Sequence, residues 1–280
     1  MPVLPEPSAS LSIALIGCGK MGSALLRGWL ASGQVKHVYV LDPGGLPEEF
    51  EDQAPAHITF YDKAEMFAGA RPPASVFVIA VKPQIMDDVC NTIKKAVPAD
   101  ALVLSIAAGQ TISKFESYFG THQPVIRSMP NTPAAVAKGI TVGCPNAHVS
   151  AEQKTRADNL LKAVGQVEWV KDEELLDAVT AVSGSGPAYV FLLIEALAAA
   201  GVKSGLDTAF AMKLARQTII GSAALAEADP LPAETLRKNV TSPGGTTAAA
   251  LDVLMSDEGM QPLFDKAIAA ATARSKQLAS

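Results

Sequence analysis

A short aliphatic and β-branched run, Ser12 to Ile16, leads straight into Gly17, Gly19 and Gly22. A segment follows whose apolar residues Leu25, Leu26, Trp29 and Leu30 recur at helical spacing. This order of strand, glycine turn and helix is the context GxGxxG needs to act as a phosphate-binding turn. The first glycine makes the tight turn, the second lets backbone approach a pyrophosphate, and the third lets helix and strand pack closely. Few folds other than an open parallel α/β sheet accept this arrangement, and the rest of the first half agrees with one. Apolar runs at Val38 to Leu41, Ser75 to Val81, Leu102 to Ile106 and Val125 to Met129 are continuous, which marks strands buried on both faces. Crossover helices are predicted over Gln84 to Val97, Ile112 to Tyr118 and Ala151 to Val164, and a closing strand over Val167 to Val170.

Beyond about Asp172 the strand signals stop. Glu173 to Val182, Pro187 to Val202, Asp207 to Glu227, Thr246 to Met255 and Gln261 to Leu278 all read as helices. They are broken by two glycine-rich segments, SGSGP at 183 to 187 and TSPGGTT at 241 to 247. The chain has 280 residues, enough for two domains at roughly 100 to 200 residues each. The fold class expected is α/β, with a Rossmann-type doubly wound sheet over residues 1–172 and an all-helical domain over 173–280. Residues 1 to 10 (MPVLPEPSAS) read as a loose tail.

Composition narrows the function. Lys plus Arg number 23 against 28 Asp plus Glu, a net charge of -5, so no basic surface for nucleic acid is expected. Hydrophobic residues make up 49%, which excludes general disorder. Aromatics are only 5%, and alanine runs at 196 to 200 and 267 to 273 favour closely packed helices in the second half. Cys18, Cys90 and Cys144 are odd in number and widely spaced, with neither a CxxC pair nor a histidine cluster. No metal site is expected, and a reduced, cytoplasmic setting fits. No Lys or Arg precedes Lys20, so no signal or transit peptide is expected. Pro187 to Ala200 contains Glu195 and spans fewer than the roughly 20 residues a membrane crossing needs. It is expected to be a buried helix, apolar nearly all round, whose surface calls for a second subunit.

Asp42 falls at the end of the second strand, twenty residues after Gly22, where a carboxylate can accept hydrogen bonds from a ribose 2′-hydroxyl. A 2′-phosphate would be repelled there, and no Lys or Arg occurs between Asp42 and Lys63, so NADH is expected over NADPH. The alternative is that Asp42 only caps the turn at Pro43, Gly44 and Gly45. Val81, Lys82 and Pro83, Ala107 to Gly109, and Met129 to Asn131 also follow strands, at the edge where open sheets bind ligands. Small residues there would let a nicotinamide ring approach the backbone. His37, His57, His122 and His148 sit beside no motif, so a histidine acid or base is not expected. In TSPGGTT, Ser242 can cap and Pro243 suits a first helical position, leaving amides and hydroxyls that would suit a carboxylate. An ordinary capped turn is the alternative.

Taken together, GCGKMG (17 to 22), AVKPQ (80 to 84), RSMPNTP (127 to 133), SGSGPAY (183 to 189) and NVTSPGGTT (239 to 247) give the chain a family likeness. From about residue 11 to its C-terminus it resembles the pyrroline-5-carboxylate reductases, and NVTSPGGTT is the most diagnostic segment. The resemblance implies NAD(P)H-dependent reduction of 1-pyrroline-5-carboxylate to L-proline, the last step of proline biosynthesis. It also implies a helical domain that interlocks with a second subunit, as a homodimer or a larger homo-oligomer of dimers. By motif match the cofactor would meet Gly17, Gly19, Met21, Gly22, Ala80, Val81, Lys82, Pro83 and Ala107, with Asn131 nearby. The substrate would meet Val240, Ser242, Gly245, Thr246 and Thr247, with the Thr247 hydroxyl on the ring nitrogen; Ser242 and Thr247 are the candidate catalytic residues. Two other functions are weighed. A β-hydroxyacid dehydrogenase would need a lysine on the helix after SGSGP, where the first is Lys203. A nucleotide-sensing module without turnover would have no use for the second glycine loop.

Overall fold

The computed structural model describes residues 11–53 and 56–279; the expected N-terminal tail lies outside them. Eight strands, β1 (Ser12–Ile16), β2 (His37–Leu41), β3 (Ile58–Tyr61), β4 (Val76–Ile79), β5 (Leu102–Ser105), β6 (Val125–Met129), β7 (Gly139–Pro145) and β8 (Gly165–Trp169), form one sheet ordered β3-β2-β1-β4-β5-β6-β7-β8. The first six run parallel in the Rossmann order. β7 returns antiparallel to β6, and β8 pairs parallel with it.

Alternate residues of the strands face opposite layers, which explains why their apolar runs are unbroken. Ile13, Leu15, Val38, Val40, Val76, Val78, Leu102 and Leu104 pack in one layer with Leu25, Leu26 and Trp29 of α1 (Lys20–Ser32). Ala14, Ile16, Phe77, Ile79 and Val103 pack in the other. The partners of that second layer lie on α2 (Ala64–Ala70), α3 (Met86–Ile93) and α4 (Ile112–Phe119). The Trp29 indole donates to the Leu160 carbonyl of α5 (Ala151–Lys162) at 2.8 Å, so the largest buried ring loses no hydrogen bond.

After α5 and β8 come α6 (Leu175–Val179), α7 (Gly186–Lys203), α8 (Thr208–Ala228), α9 (Ala233–Asn239), α10 (Thr246–Leu254) and α11 (Met260–Ala279). The expected break at SGSGP is not one. Thr180–Gly184 forms a π-helical turn that continues α6 toward α7, a widening that keeps the backbone hydrogen-bonded through the glycines. The resulting run, Leu175–Lys203, is 29 residues, long and apolar enough by length and composition to cross a membrane. The shorter length expected from Pro187 to Ala200 is corrected accordingly.

Two compact units result: Ser185–Ala271, and Met1–Gly184 together with Thr272–Ser280. The division falls after the Asp172 boundary read from the sequence because residues 173–179 pack into the first unit. Leu176 lies with Val142 and Cys144, and Glu173 accepts from the buried Arg127 guanidinium at 2.9 Å. Asp177 accepts from the Ser275 hydroxyl at 2.6 Å, which ties the final residues of α11 to the same unit. The helical unit is different in kind. Its only buried residues are Ala198, Ala211 and Ala215, and Gly201 lets α7 come within van der Waals contact of Ala211 on α8. Phe191, Leu192, Phe210 and Ile220 are more than half exposed, far more apolar surface than a self-sufficient small domain presents.

Candidate active site

The carboxyl ends of the parallel strands converge the first group of expected residues. Gly17 follows β1 with φ +99°, a left-handed backbone that glycine adopts without strain. A methyl group on it would lie 2.7 Å from the Ala80 carbonyl oxygen, the point where the chain leaves β4. Gly22 is buried, and a methyl group there would lie 2.2 Å from the Gly17 carbonyl oxygen. A methyl group on Gly19 would meet nothing within 4 Å. Gly19 is also the N-cap of α1, with extended backbone and no side-chain cap. The open space above it and the uncapped first-turn amides leave room and donors that could hold a diphosphate. Met21 packs on the core beneath the loop.

Asp42 unites the two readings made of it. One carboxylate oxygen accepts from the Cys18 amide at 2.6 Å, which pins the glycine loop, and the other from the Gly44 amide at 2.7 Å, which closes the following turn. Each oxygen keeps a lone pair for a ribose hydroxyl. Ala80 to Pro83 follow β4, with Val81 buried and Lys82 and Pro83 exposed, and the buried Ala107 follows β5. Asn131 follows β6, but its side-chain oxygen accepts from the Ile140 amide at 2.9 Å and so holds the start of β7. Gly109 differs from expectation: the space beside it belongs to Leu278, whose Cβ lies 3.2 Å from where a methyl group would sit.

The second group lies in the helical unit. α10 begins at Thr246, with Gly245 as an extended N-cap and no side-chain cap. Ser242 therefore does not cap α10 and Pro243 is not its first residue. Instead the Ser242 carbonyl accepts from Gly245 at 3.0 Å, closing a turn through Gly244, whose φ is +69°. The opening amides of α10 are left uncapped beside the half-buried Thr247 and the exposed Thr246, Ser242 and Val240. An uncapped helix start with flanking hydroxyls has the chemistry to accept a carboxylate.

Among the described residues, neither a histidine nor an activated cysteine accompanies either group. His37 opens β2, His57 precedes β3, His122 precedes β6, and His148 follows the antiparallel β7, so all four stand at the sheet edge opposite the glycine loop. The Cys18 thiol is pushed up to about 12 by burial and by the charges of Asp42 and Glu49, and burial likewise pushes Cys90 up to about 12. Both stay protonated and non-nucleophilic near neutral pH. Among the described residues no group of three or more His, Cys, Asp or Glu side chains could hold a metal ion. Lys203 is the last residue of α7, roughly 25 Å along the helix from Gly186, which removes the lysine a β-hydroxyacid dehydrogenase requires. The sequence reading missed Arg27 of α1, which meets Glu49 across 22 residues with Nη2 at 2.6 Å from Oε1. No local pattern marks a pair so separated.

The fold and the glycine loop define a Rossmann-type, dinucleotide-fold protein with an appended helical unit. Residues 173–278 match the family model described as pyrroline-5-carboxylate reductase dimerisation. Residues 12–109 match one described as NADP oxidoreductase, coenzyme F420-dependent. A pyrroline-5-carboxylate reductase of Pseudomonas aeruginosa is 42% identical over 269 residues, covering 95% of this chain and 96% of that protein. Among solved structures, the pyrroline-5-carboxylate reductase of Coxiella burnetii superposes with a TM-score of 0.86 at 37% identity, covering 96% of this chain and 98% of the other. The Plasmodium falciparum pyrroline carboxylate reductase with NADP bound gives 0.81 at 31%, covering 96% and 98%. The chain belongs to the pyrroline-5-carboxylate reductase family.

Proposed function

We propose that this chain reduces 1-pyrroline-5-carboxylate to L-proline with NAD(P)H, the last step of proline biosynthesis. One observation carries the reading: an open glycine cradle at the sheet edge and an uncapped, hydroxyl-flanked helix start at Gly245 occur in one chain that aligns over 95% of its length with a pyrroline-5-carboxylate reductase. When bound, the dihydronicotinamide supplies a hydride to the imine carbon. Gly17, Gly19, Met21 and Gly22 hold the diphosphate end, while Ala80, Val81, Lys82, Pro83, Ala107 and Asn131 form the edge along which the rest is laid. Val240, Ser242, Gly245, Thr246 and Thr247 hold the substrate, with backbone amides on its carboxylate and the Thr247 hydroxyl on the ring nitrogen.

The lack of a histidine at the ligand edge supports this chemistry. A cyclic imine protonated on nitrogen is already electrophilic. Hydride addition at carbon sends the π electrons to nitrogen, and the proton already there completes the amine. The residues therefore need only align and anchor, and orientation alone can lower a barrier by several kcal/mol.

NADH is the proposed preferred donor. Asp42 places a negative charge at the end of β2, and residues 43–62 contain no Lys or Arg. In an assay with the imine, kcat/KM for NADH should exceed that for NADPH by at least about tenfold, the scale of one charged contact. A preference for NADPH would contradict the assignment. We also propose a homo-oligomer, a dimer at minimum, because three alanines cannot serve as the core of Ser185–Ala271 and its exposed apolar side chains need cover. Such cover also accounts for the apolar Leu175–Lys203 run without a bilayer. Three unpaired cysteines fit a cytoplasmic location.

A further inference from the structure

Arg27 stands on the third turn of the helix that the glycine loop opens, and long side chains on a helix lean back toward its N-terminus. Its guanidinium is engaged on two nitrogens by Glu49: Nε to Oε2 at 3.2 Å, and Nη2 to Oε1 at 2.6 Å and to Oε2 at 2.9 Å. Glu49 lies on a short 3-10 turn, Glu48–Gln53, that follows the Asp42 turn and carries Glu48, Glu51 and Asp52 as well. The turn and Asp42 lie on the same connection out of β2, and the ion pair ties that connection to α1. Both side chains are nearly half exposed, 47% and 45%. An ion pair in that setting adds little to stability, yet the Nε–Nη2 edge of Arg27, one of its two forks that would suit a phosphate, is taken and its charge is balanced by Glu49.

We propose that Glu49 is a second determinant of cofactor choice: it occupies Arg27 and so withholds from an adenosine 2′-phosphate the cation that would otherwise receive it. Discrimination then has two parts, repulsion by Asp42 and sequestration of Arg27 by Glu49. The inference rests on the NADH reading above, and its test separates the two.

Calorimetric titration with 2′,5′-ADP and with 5′-ADP isolates the 2′-phosphate without turnover. Four forms are compared: the unaltered protein, Glu49→Gln, Arg27→Ala, and the double variant. The unaltered protein should favour 5′-ADP. Glu49→Gln should raise the affinity for 2′,5′-ADP relative to 5′-ADP by about tenfold, the scale of one charge-assisted hydrogen bond gained. Arg27→Ala alone should leave the ratio where it was, and in the double variant the gain should vanish. The NADPH to NADH ratio of kcat/KM should move in parallel. If the unaltered protein already favours 2′,5′-ADP, the NADH reading fails and the proposal with it. If it favours 5′-ADP while Glu49→Gln leaves the ratio unchanged, or if the gain survives loss of Arg27, the proposal alone fails.

Discussion

Gly22→Ala is expected to weaken NADH binding by about 10²-fold or more, and Gly19→Ala to weaken it without disturbing the fold. The contrast follows from what each added methyl group meets. At Gly22 it would lie 2.2 Å from the Gly17 carbonyl oxygen and 3.1 Å from the carbonyl carbon. Both are backbone atoms that no rotamer change can move. α1 must shift away from the end of β1, carrying its first-turn amides with it, and displacement of positioning groups by about 1 Å costs on the order of 10²-fold. Overpacking of this kind also costs roughly 1 to 3 kcal/mol of stability, several degrees in Tm for a domain of this size. At Gly19 the methyl group enters open space, so Tm should change by no more than about 1 °C while the diphosphate loses its close approach to the backbone. Fluorescence titration with NADH, paired with thermal unfolding, checks both. Normal NADH binding by Gly22→Ala would mean that close packing of α1 on the loop does not position the cofactor.

Thr247→Ala is expected to lower kcat for the imine by about 10²-fold, the size lost when a group that positions the reacting atoms is removed, while the NADH dissociation constant stays within about twofold. Thr247 is the second residue of α10 and half-buried, and its hydroxyl is bonded to no other described residue. That hydroxyl is consequently free for a ligand, and the helix start next to it is rigid because Gly245 closes the preceding turn onto Ser242. Thr247→Ser keeps the hydroxyl and should recover most of the lost rate, which a packing role for the methyl group would not allow. Unchanged turnover in Thr247→Ala, measured by single-turnover kinetics, would remove this residue from the mechanism.

The legibility of these features in the sequence depended on how local their causes are. β1, β2, β4, β5 and β6 were readable because burial on both faces demands unbroken apolar runs. The glycine loop was readable because turn, approach and packing lie within six residues. β3 was missed: it is a four-residue edge strand in which only Ile58 is buried. β7 was missed because glycines at 139 and 143 and a proline at 145 argue against a strand. The reason for Gly143 lies elsewhere in the chain: a methyl group there would be 2.6 Å from the Trp169 ring. SGSGP looked like a helix break because a π turn that keeps its backbone bonded leaves no pattern of its own. In the site, the position of Asp42 was legible, but its second bond to Cys18 and the Arg27–Glu49 pair were not, since each joins residues more than twenty apart. Asn131 shows the reverse: its place at the strand end was legible, while its bond to Ile140 depends on the unforeseen β7.

The central claim is that a hydride passes from nicotinamide C4 to the imine carbon. It is tested most directly with NADH carrying deuterium at both C4 positions and 1-pyrroline-5-carboxylate, with the product analysed by mass spectrometry. One deuterium at C5 of L-proline per NADH oxidised is the predicted result. Proline without label, or NADH oxidation with no proline formed, would contradict it.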